Sequence, residues 1–126
     1  MVILIIEDEL LIQKSLKKIL ESRGHFVDAC NTGKEALSLI EKNKYDRIVC
    51  DLMLQDTTGI DIIEDSKRFL NLNEISKTFV LMTAYSSAQV VSKAQSYGCD
   101  FLRKPFDSIL SAIQIITNKQ SEQTIE

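Results

Sequence analysis

Polar residues that could bind a metal or take part in a reaction stand directly after apolar runs of this 126-residue chain. Glu7 and Asp8 follow the first run, Asp51 ends a later one, and Thr83 and Lys104 close two more. Three carboxylates held close together repel one another, and burying them unpaired is costly. Mg²⁺ solves this problem, because it favours a few carboxylates together with water and phosphate oxygens. The pattern therefore favours a magnesium site, with Lys104 as a second positive charge and Thr83 as a hydroxyl donor.

The same groups suit transfer of a phosphoryl group to a carboxylate. An aspartate can act as the nucleophile and form an acyl phosphate, while a metal and a lysine neutralise the transferred group. Gly33-Lys34 lacks the upstream glycine of a nucleotide phosphate-binding loop and is interpreted as a helix start. The phosphoryl donor is therefore expected to be another protein or a small acyl phosphate.

The strands and helices that position these residues are predicted from two hydrophobic periodicities that alternate along the chain. Short apolar runs alternate with segments of helical spacing, which predicts an α/β sheet with helices on both faces. Right-handed crossovers make the strands parallel, and ligands then bind beyond their carboxyl ends. The predicted strands cover residues 2–6, 25–30, 45–51, 78–83 and 100–103, and the predicted helices cover 10–23, 33–44, 59–70, 86–97 and 107–118. Residues 71–76 are predicted to be a polar connection.

Composition narrows the class of protein. Its 44% of hydrophobic residues can fill one core, and no apolar run reaches the ~20 residues of a membrane span, which predicts a soluble protein. The excess of 18 acidic over 15 basic residues argues against binding to nucleic acid by this domain alone. Cys30, Cys50 and Cys99 are odd in number and lack metal-ligand spacing, which favours reduced thiols and a cytoplasmic location.

Four fragments together resemble the receiver domains of response regulators in two-component signalling. They are Ile5-Ile6-Glu7-Asp8-Glu9, Ile48-Val49-Cys50-Asp51-Leu52-Met53-Leu54 followed by Gly59, Leu81-Met82-Thr83-Ala84, and Lys104-Pro105-Phe106. Each fragment is weak alone, but their order and their positions at strand ends are highly specific. The resemblance covers residues 1–118, taken as one receiver domain, and leaves residues 119–126 as a polar tail. It implies a doubly wound, flavodoxin-like sheet of five parallel strands in the order 2-1-3-4-5, with five helices.

The resemblance also implies roles in metal and phosphoryl binding. Asp51 is the expected phosphoacceptor, Asp8 a direct ligand of Mg²⁺, and Glu7 a ligand acting through water. Met53 is expected to offer its main-chain carbonyl to the metal, for which Mn²⁺ is an alternative. Glu9 is interpreted as an acidic residue at a helix N-terminus and no more.

Further positions are assigned by the same resemblance. Thr83 is expected to hydrogen-bond the phosphoryl group and Lys104 to pair with it, and the peptide bond after Lys104 matches one that is commonly cis in the family. Phe101 matches the aromatic switch residue, which couples with Thr83 to change a binding surface. Met53 and Tyr85 are bulky at positions that modulate water access in receivers, which predicts slow hydrolysis of the acyl phosphate.

Two positions depart from the usual pattern of the family. Gln55 stands where many members have proline, which predicts a less rigid loop after Asp51. Glu7 stands where aspartate is commoner, which lengthens one arm of the metal site. Neither change removes a group that phosphorylation needs.

The expected function is that of a bacterial signalling switch, not of an enzyme with turnover on a free substrate. A histidine kinase or phosphotransfer protein would phosphorylate Asp51, and a surface formed by the fourth predicted helix, the fifth strand and the last helix would bind a downstream protein. No contact with nucleic acid or membrane is expected.

Three rival readings use the same acidic residues differently. A phosphatase of the haloacid dehalogenase type needs a second aspartate two residues after the nucleophile, where Met53 stands. A nucleic-acid enzyme of the topoisomerase-primase type needs paired aspartates, which are also missing at Asp51. The third rival is a pseudo-receiver that only binds partners, and the complete set of acidic residues, Thr83 and Lys104 argues against it.

Overall fold

Five parallel strands form the centre of the molecule. The computed structural model describes residues 1–84 and 87–118. The strands are β1 (Val2–Ile6), β2 (Phe26–Cys30), β3 (Arg47–Asp51), β4 (Phe79–Thr83) and β5 (Asp100–Arg103). They lie side by side in the order β2-β1-β3-β4-β5, and all four pairings are parallel. The predicted doubly wound α/β sheet and its strand order are confirmed.

The described residues form six helices, one more than the five expected. They are α1 (Leu10–Ser22), α2 (Gly33–Lys42), α3 (Gly59–Ser66), α4 (Leu72–Thr78), α5 (Ala88–Gln95) and α6 (Ile109–Thr117). Helices α1 and α6 bury their apolar residues on one face of the sheet, and α2 to α5 cover the other. In the described part of the chain, every helix is too short or too polar to span a membrane.

The polar connection predicted for residues 71–76 is wrong, because most of it belongs to α4. Asn71 and Glu74 form a capping box: the Asn71 side chain accepts from the Glu74 main-chain N–H at 2.8 Å, and the Glu74 carboxylate accepts from the Asn71 N–H at 2.9 Å. Ile75 is buried beneath the helix. A polar sequence can form this short helix because local caps satisfy its first turn and one isoleucine anchors it.

The strands that carry the site are buried on both faces. In β1, Ile3 and Ile5 pack towards α1 and α6, whereas Leu4 and Ile6 pack towards α2 and α3. Every residue of β3 is buried. Continuous apolar runs are typical of strands covered by helices on both sides, which is why the sequence identified these two strands so clearly.

A fully buried arginine at the start of β3 fastens the opposite end of the sheet. The Arg47 guanidinium donates to the carboxylate of Asp100 at 2.6 Å and to the main-chain carbonyl of Lys77 at 2.5 Å. It also donates to the carbonyls of Ile116 at 2.7 Å and Ile115 at 2.9 Å, in the last turn of α6. Arg47 thereby satisfies helix-end carbonyls that lack an intrahelical partner and holds α6 against the sheet.

Candidate functional site

The site lies at the carboxyl ends of the central strands, as the topology predicts. Glu7 and Asp8 follow β1 directly, and Asp51 ends β3, which pairs with β1. The main-chain N–H of Glu7 donates to the carbonyl of Cys30 at the end of β2, at 3.1 Å. Neighbouring strands therefore bring Glu7, Asp8 and Asp51 together although they are far apart in sequence.

Gly59 allows the loop after β3 to fold closely against the end of that strand. Its main-chain N–H donates to the carbonyl of Leu52 at 2.9 Å. A Cβ at this position would lie 2.9 Å from the carbonyl oxygen of Asp51 and 3.2 Å from the Cα of Leu52. Because both of these atoms belong to the main chain, only glycine fits here without a shift of the Asp51 strand end.

Lys104 connects the carboxylates of the site. Its ammonium group lies 2.8 Å from Oδ2 of Asp51, 2.9 Å from Oε1 of Glu7 and 2.8 Å from Oε1 of Glu9. Its main-chain N–H donates to the carbonyl of Thr83 at 2.7 Å, which fixes the start of the loop after β5. The peptide bond after Lys104 is cis, as the resemblance implied.

Burial and ion pairing oppose each other in this cluster. Burial alone would lower the pKa of Lys104, but its hydrogen bonds to Asp51, Glu9 and Glu7 outweigh burial and raise that pKa above its ordinary value. Burial raises the pKa of Glu7, although the Glu9 main-chain N–H and Lys104 partly offset the effect. Lys104 is therefore a persistent cation held by several acids.

The donor set fits a hard divalent cation. Glu7, Asp8 and Asp51 each offer a carboxylate oxygen, and these oxygens lie within 4.8 Å of one another. Such a group of oxygens is what Mg²⁺ or Mn²⁺ binds, and one lysine cannot neutralise all the acids beside it. Met53 donates its main-chain N–H to Oδ1 of Asp51 at 3.0 Å, whereas the role of its carbonyl as a metal ligand stays a prediction.

The remaining predicted residues occupy different surroundings. Thr83 ends β4, one residue beyond Met82, which pairs with Asp51. Phe101 is half-buried on β5 and packs against the core under α2 to α5. The Met53 side chain is exposed, and Tyr85 lies outside the described residues.

Two residues of the site make contacts that were not foreseen. Glu9 does more than begin α1, because its carboxylate binds Lys104 and its main-chain N–H donates to Oε2 of Glu7 at 3.0 Å. The main-chain N–H of Gln55 donates to Oδ2 of Asp8 at 3.0 Å, which ties the loop after β3 to the acidic cluster. The lower rigidity expected of this loop stays a prediction. A proline there would have no N–H to give.

Gln13 is a third unforeseen residue and supports the end of β1. Its buried side-chain amide donates to the carbonyl of Glu7 at 2.9 Å, to the carbonyl of Cys30 at 3.1 Å and to Oδ1 of Asn31 at 3.0 Å. The sequence carried a signal for this role, because Gln13 is a polar residue on the buried face of α1, one turn before Leu16.

Comparisons with known proteins agree on one family. The family model of the response regulator receiver domain matches residues 3–117. The transcriptional regulatory protein PdtaR of Mycobacterium tuberculosis is 31% identical over 128 residues, covering 97% of this chain and 59% of PdtaR. The chain spans 23% to 59% of the lengths of the first curated relatives that it matches.

Solved structures share the same architecture. The receiver domain of the Francisella response regulator 1452 matches with a TM-score of 0.76 and 29% identity, covering 91% of this chain and 92% of that one. A second match belongs to the complex of the Saccharomyces cerevisiae histidine phosphotransfer signaling protein Ypd1 with the receiver domain of the response regulator Ssk1. Its TM-score is 0.79 at 26% identity, covering 94% of this chain and 88% of that one.

Proposed function

The chain belongs to the response regulator receiver family of two-component systems, and we propose that it accepts a phosphoryl group on Asp51. The observation that carries the proposal is the buried Asp51 carboxylate, which Lys104 contacts at 2.8 Å beside Glu7 and Asp8. A carboxylate in this environment can accept a negatively charged phosphoryl group, because Lys104 and a metal ion held by the neighbouring carboxylates would neutralise its charge.

The proposed donor is a phosphorylated histidine of a kinase or phosphotransfer protein. An oxygen of Asp51 forms the new bond to phosphorus while the phosphorus–nitrogen bond breaks, and the electron pair stays on the imidazole. The imidazole leaves as a neutral ring when its other nitrogen carries the proton. The likeness to the Ypd1–Ssk1 complex supports a donor of this class.

Each side chain has a part in the proposed transfer. Glu7, Asp8 and Asp51, with the Met53 carbonyl, would hold Mg²⁺ or Mn²⁺, and the bound ion would supply charge that neutralises the phosphoryl oxygens. Lys104 would turn one N–H towards a phosphoryl oxygen, and the Thr83 hydroxyl would donate to another. Transfer then depends mostly on positioning and electrostatic stabilisation by these groups.

The proposed output is a change of surface on α5, β5 and α6. Phe101, Phe106, Ala112 and Ile115 contribute to a shallow depression of about 120 Å³ between β5 and α6. Because Phe101 is half-buried beside it, a change of its rotamer on phosphorylation would alter this depression. We propose that a downstream protein docks there and that residues 1–118 suffice for the switch, which acts by protein contact and not on nucleic acid or membrane.

A cytoplasmic location completes the proposal. Cys30, Cys50 and Cys99 are all unbonded thiols. Free thiols are the usual state of cysteines in the reducing cytoplasm. Their state in the folded chain supports that compartment.

Phosphorylation of variants with a small acyl phosphate and Mg²⁺ tests the function. Intact mass spectrometry should detect one added phosphoryl group on the wild type and on Asp65→Asn, a matched control on the exposed face of α3. Asp51→Asn should gain none. A label retained by Asp51→Asn would refute the assigned acceptor, and an unlabelled wild type beside a labelled control receiver would favour the pseudo-receiver.

The lifetime of the same acyl phosphate tests the predicted slow hydrolysis. Shrinking Met53 and Tyr85 to alanine should shorten the lifetime, because both side chains are expected to limit the approach of water. A lifetime of a few seconds in the wild type that these substitutions leave unchanged would contradict the role of Met53 and Tyr85.

A further inference from the structure

Every donor of the Lys104 ammonium group is already in use. A lysine side chain has three N–H donors, and Lys104 has three carboxylate partners at hydrogen-bond distance: Asp51, Glu7 and Glu9. On the proposed function, Lys104 must also donate to an oxygen of the incoming phosphoryl group. One of the three existing contacts must therefore open.

Burial decides which contact opens most easily. The side chains of Glu7 and Asp51 are 0% and 7% exposed, so either carboxylate would lose its ammonium partner in a poorly hydrated place. The side chain of Glu9 is 60% exposed, so water can replace Lys104 at small cost. Glu9 is the partner that can leave.

We propose that Glu9 is a positioning residue that latches Lys104 in the unphosphorylated state. Its carboxylate occupies the ammonium N–H that a phosphoryl oxygen needs, and it swings into solvent when the phosphoryl group arrives. The latch deepens the proposed function and rests on it. Because Glu9 makes no side-chain cap on α1, its carboxylate is committed to Lys104 and not to the helix.

The latch predicts that phosphorylation is faster without the Glu9 carboxylate. Glu9→Ala should raise the rate of phosphorylation by a small acyl phosphate about two- to fivefold, the effect of opening an ion pair whose acidic partner is largely exposed to water. The matched control is Glu41→Ala, which removes an exposed acid from α2 at the other end of the sheet and should leave the rate unchanged.

Glu9→Asp separates the contact from the charge. The aspartate keeps the negative charge, but its arm is shorter by about 1.5 Å, one carbon–carbon bond. An aspartate at this position is also drawn to cap the first turn of α1, away from Lys104. The latch therefore predicts that Glu9→Asp is accelerated like Glu9→Ala, whereas simple repulsion of the donor by charge predicts the wild-type rate.

A second readout is independent of phosphorylation. The ammonium protons of Lys104 exchange slowly with water only while they are hydrogen-bonded, and nitrogen-15 NMR of the side chain follows this exchange. Exchange should be faster in Glu9→Ala and Glu9→Asp than in the wild type and Glu41→Ala. Equal exchange in all four proteins would overturn the latch.

The outcomes distinguish the latch from the function on which it rests. A wild type that is phosphorylated at the same rate as Glu9→Ala would overturn the latch alone. A wild-type rate in Glu9→Asp together with a faster Glu9→Ala would also overturn it, in favour of charge repulsion. A wild type that is never phosphorylated would overturn the proposed function and the latch together.

Discussion

Replacing Arg47 by methionine removes the buried hydrogen bonds and the ion pair that Arg47 makes at the amino end of the sheet. Methionine keeps much of the apolar stem but supplies no N–H donor. The carboxylate of Asp100 loses its guanidinium partner, and the carbonyls of Lys77, Ile115 and Ile116 lose a donor. The substitution therefore leaves the shape of the core nearly intact and removes one polar network.

The expected loss follows from the burial of the network. Removing one partner of a buried ion pair costs about 3–5 kcal/mol, because the other partner stays behind in a poorly hydrated place. Arg47 is 0% exposed, but the side chain of Asp100 is 22% exposed, so water can partly replace the guanidinium. We therefore expect the lower end, about 3 kcal/mol, which a domain of ordinary stability of about 5–15 kcal/mol survives.

Urea unfolding followed by far-ultraviolet circular dichroism measures this loss. With a slope of about 1.5 kcal/mol per molar urea, the midpoint of Arg47→Met should fall by about 2 M at an unchanged slope. Arg23→Met, which alters an exposed arginine, should change the midpoint little. Adding Asp100→Asn to Arg47→Met should recover part of the loss, since it removes the charge that the guanidinium balanced.

A midpoint shift below about 0.5 M for Arg47→Met would refute the reasoning. Such a result would mean that water or a rearranged side chain replaces the guanidinium at no cost. A double variant less stable than Arg47→Met would show that Asp100 stabilises the fold through other partners more than through Arg47.

Three further predictions concern metal, thiols and pH. Mg²⁺ at about 100 times its dissociation constant should stabilise the wild type against urea by about 2.7 kcal/mol, and Asp8→Asn should abolish most of this gain. Equal gains in the two proteins would contradict Asp8 as a metal ligand. Burial raises the pKa of Cys30 and Cys99 to about 12 and that of Cys50 above its ordinary value, so all three thiols should react slowly with a disulfide reagent near neutral pH until the protein unfolds. Because the pKa of Lys104 is raised in the fold, its ammonium group stabilises the protein fully at pH values below its ordinary pKa of 10.5 and loses this effect as pH rises through the pKa of the folded state. The urea midpoints of wild type and Lys104→Met should therefore converge in strong alkali, and a constant gap would refute this.

The central strands and the polar residues at their carboxyl ends were predictable from the sequence for a clear physical reason. A strand covered by helices on both sides must be apolar throughout, so β1 and β3 appear as continuous runs. A polar residue directly after such a run lies at the carboxyl edge of a parallel sheet. This local rule identified Asp51 and Lys104 as members of one site before any contact was known.

Contacts between distant segments depended on the tertiary structure. Lys104 and Glu7 are 97 residues apart, and no local pattern distinguishes a lysine that binds three acids from one that is solvated. Glu9 was expected only to begin a helix for the same reason, since an acidic first turn is common. The loop after Asp51 had to fold back before the N–H of Gln55 could reach Asp8.

By itself, the sequence determined the α/β class, the strand ends that bring the acidic residues and Lys104 together and, through four short motifs, the family. Only the tertiary structure decided the role of Arg47, the extra helix α4 and the three partners of Lys104. Hydrophobic periodicity records which face of an element is buried, but it does not record which polar groups contact one another. Those contacts depend on how the strands are ordered and how far each side chain reaches.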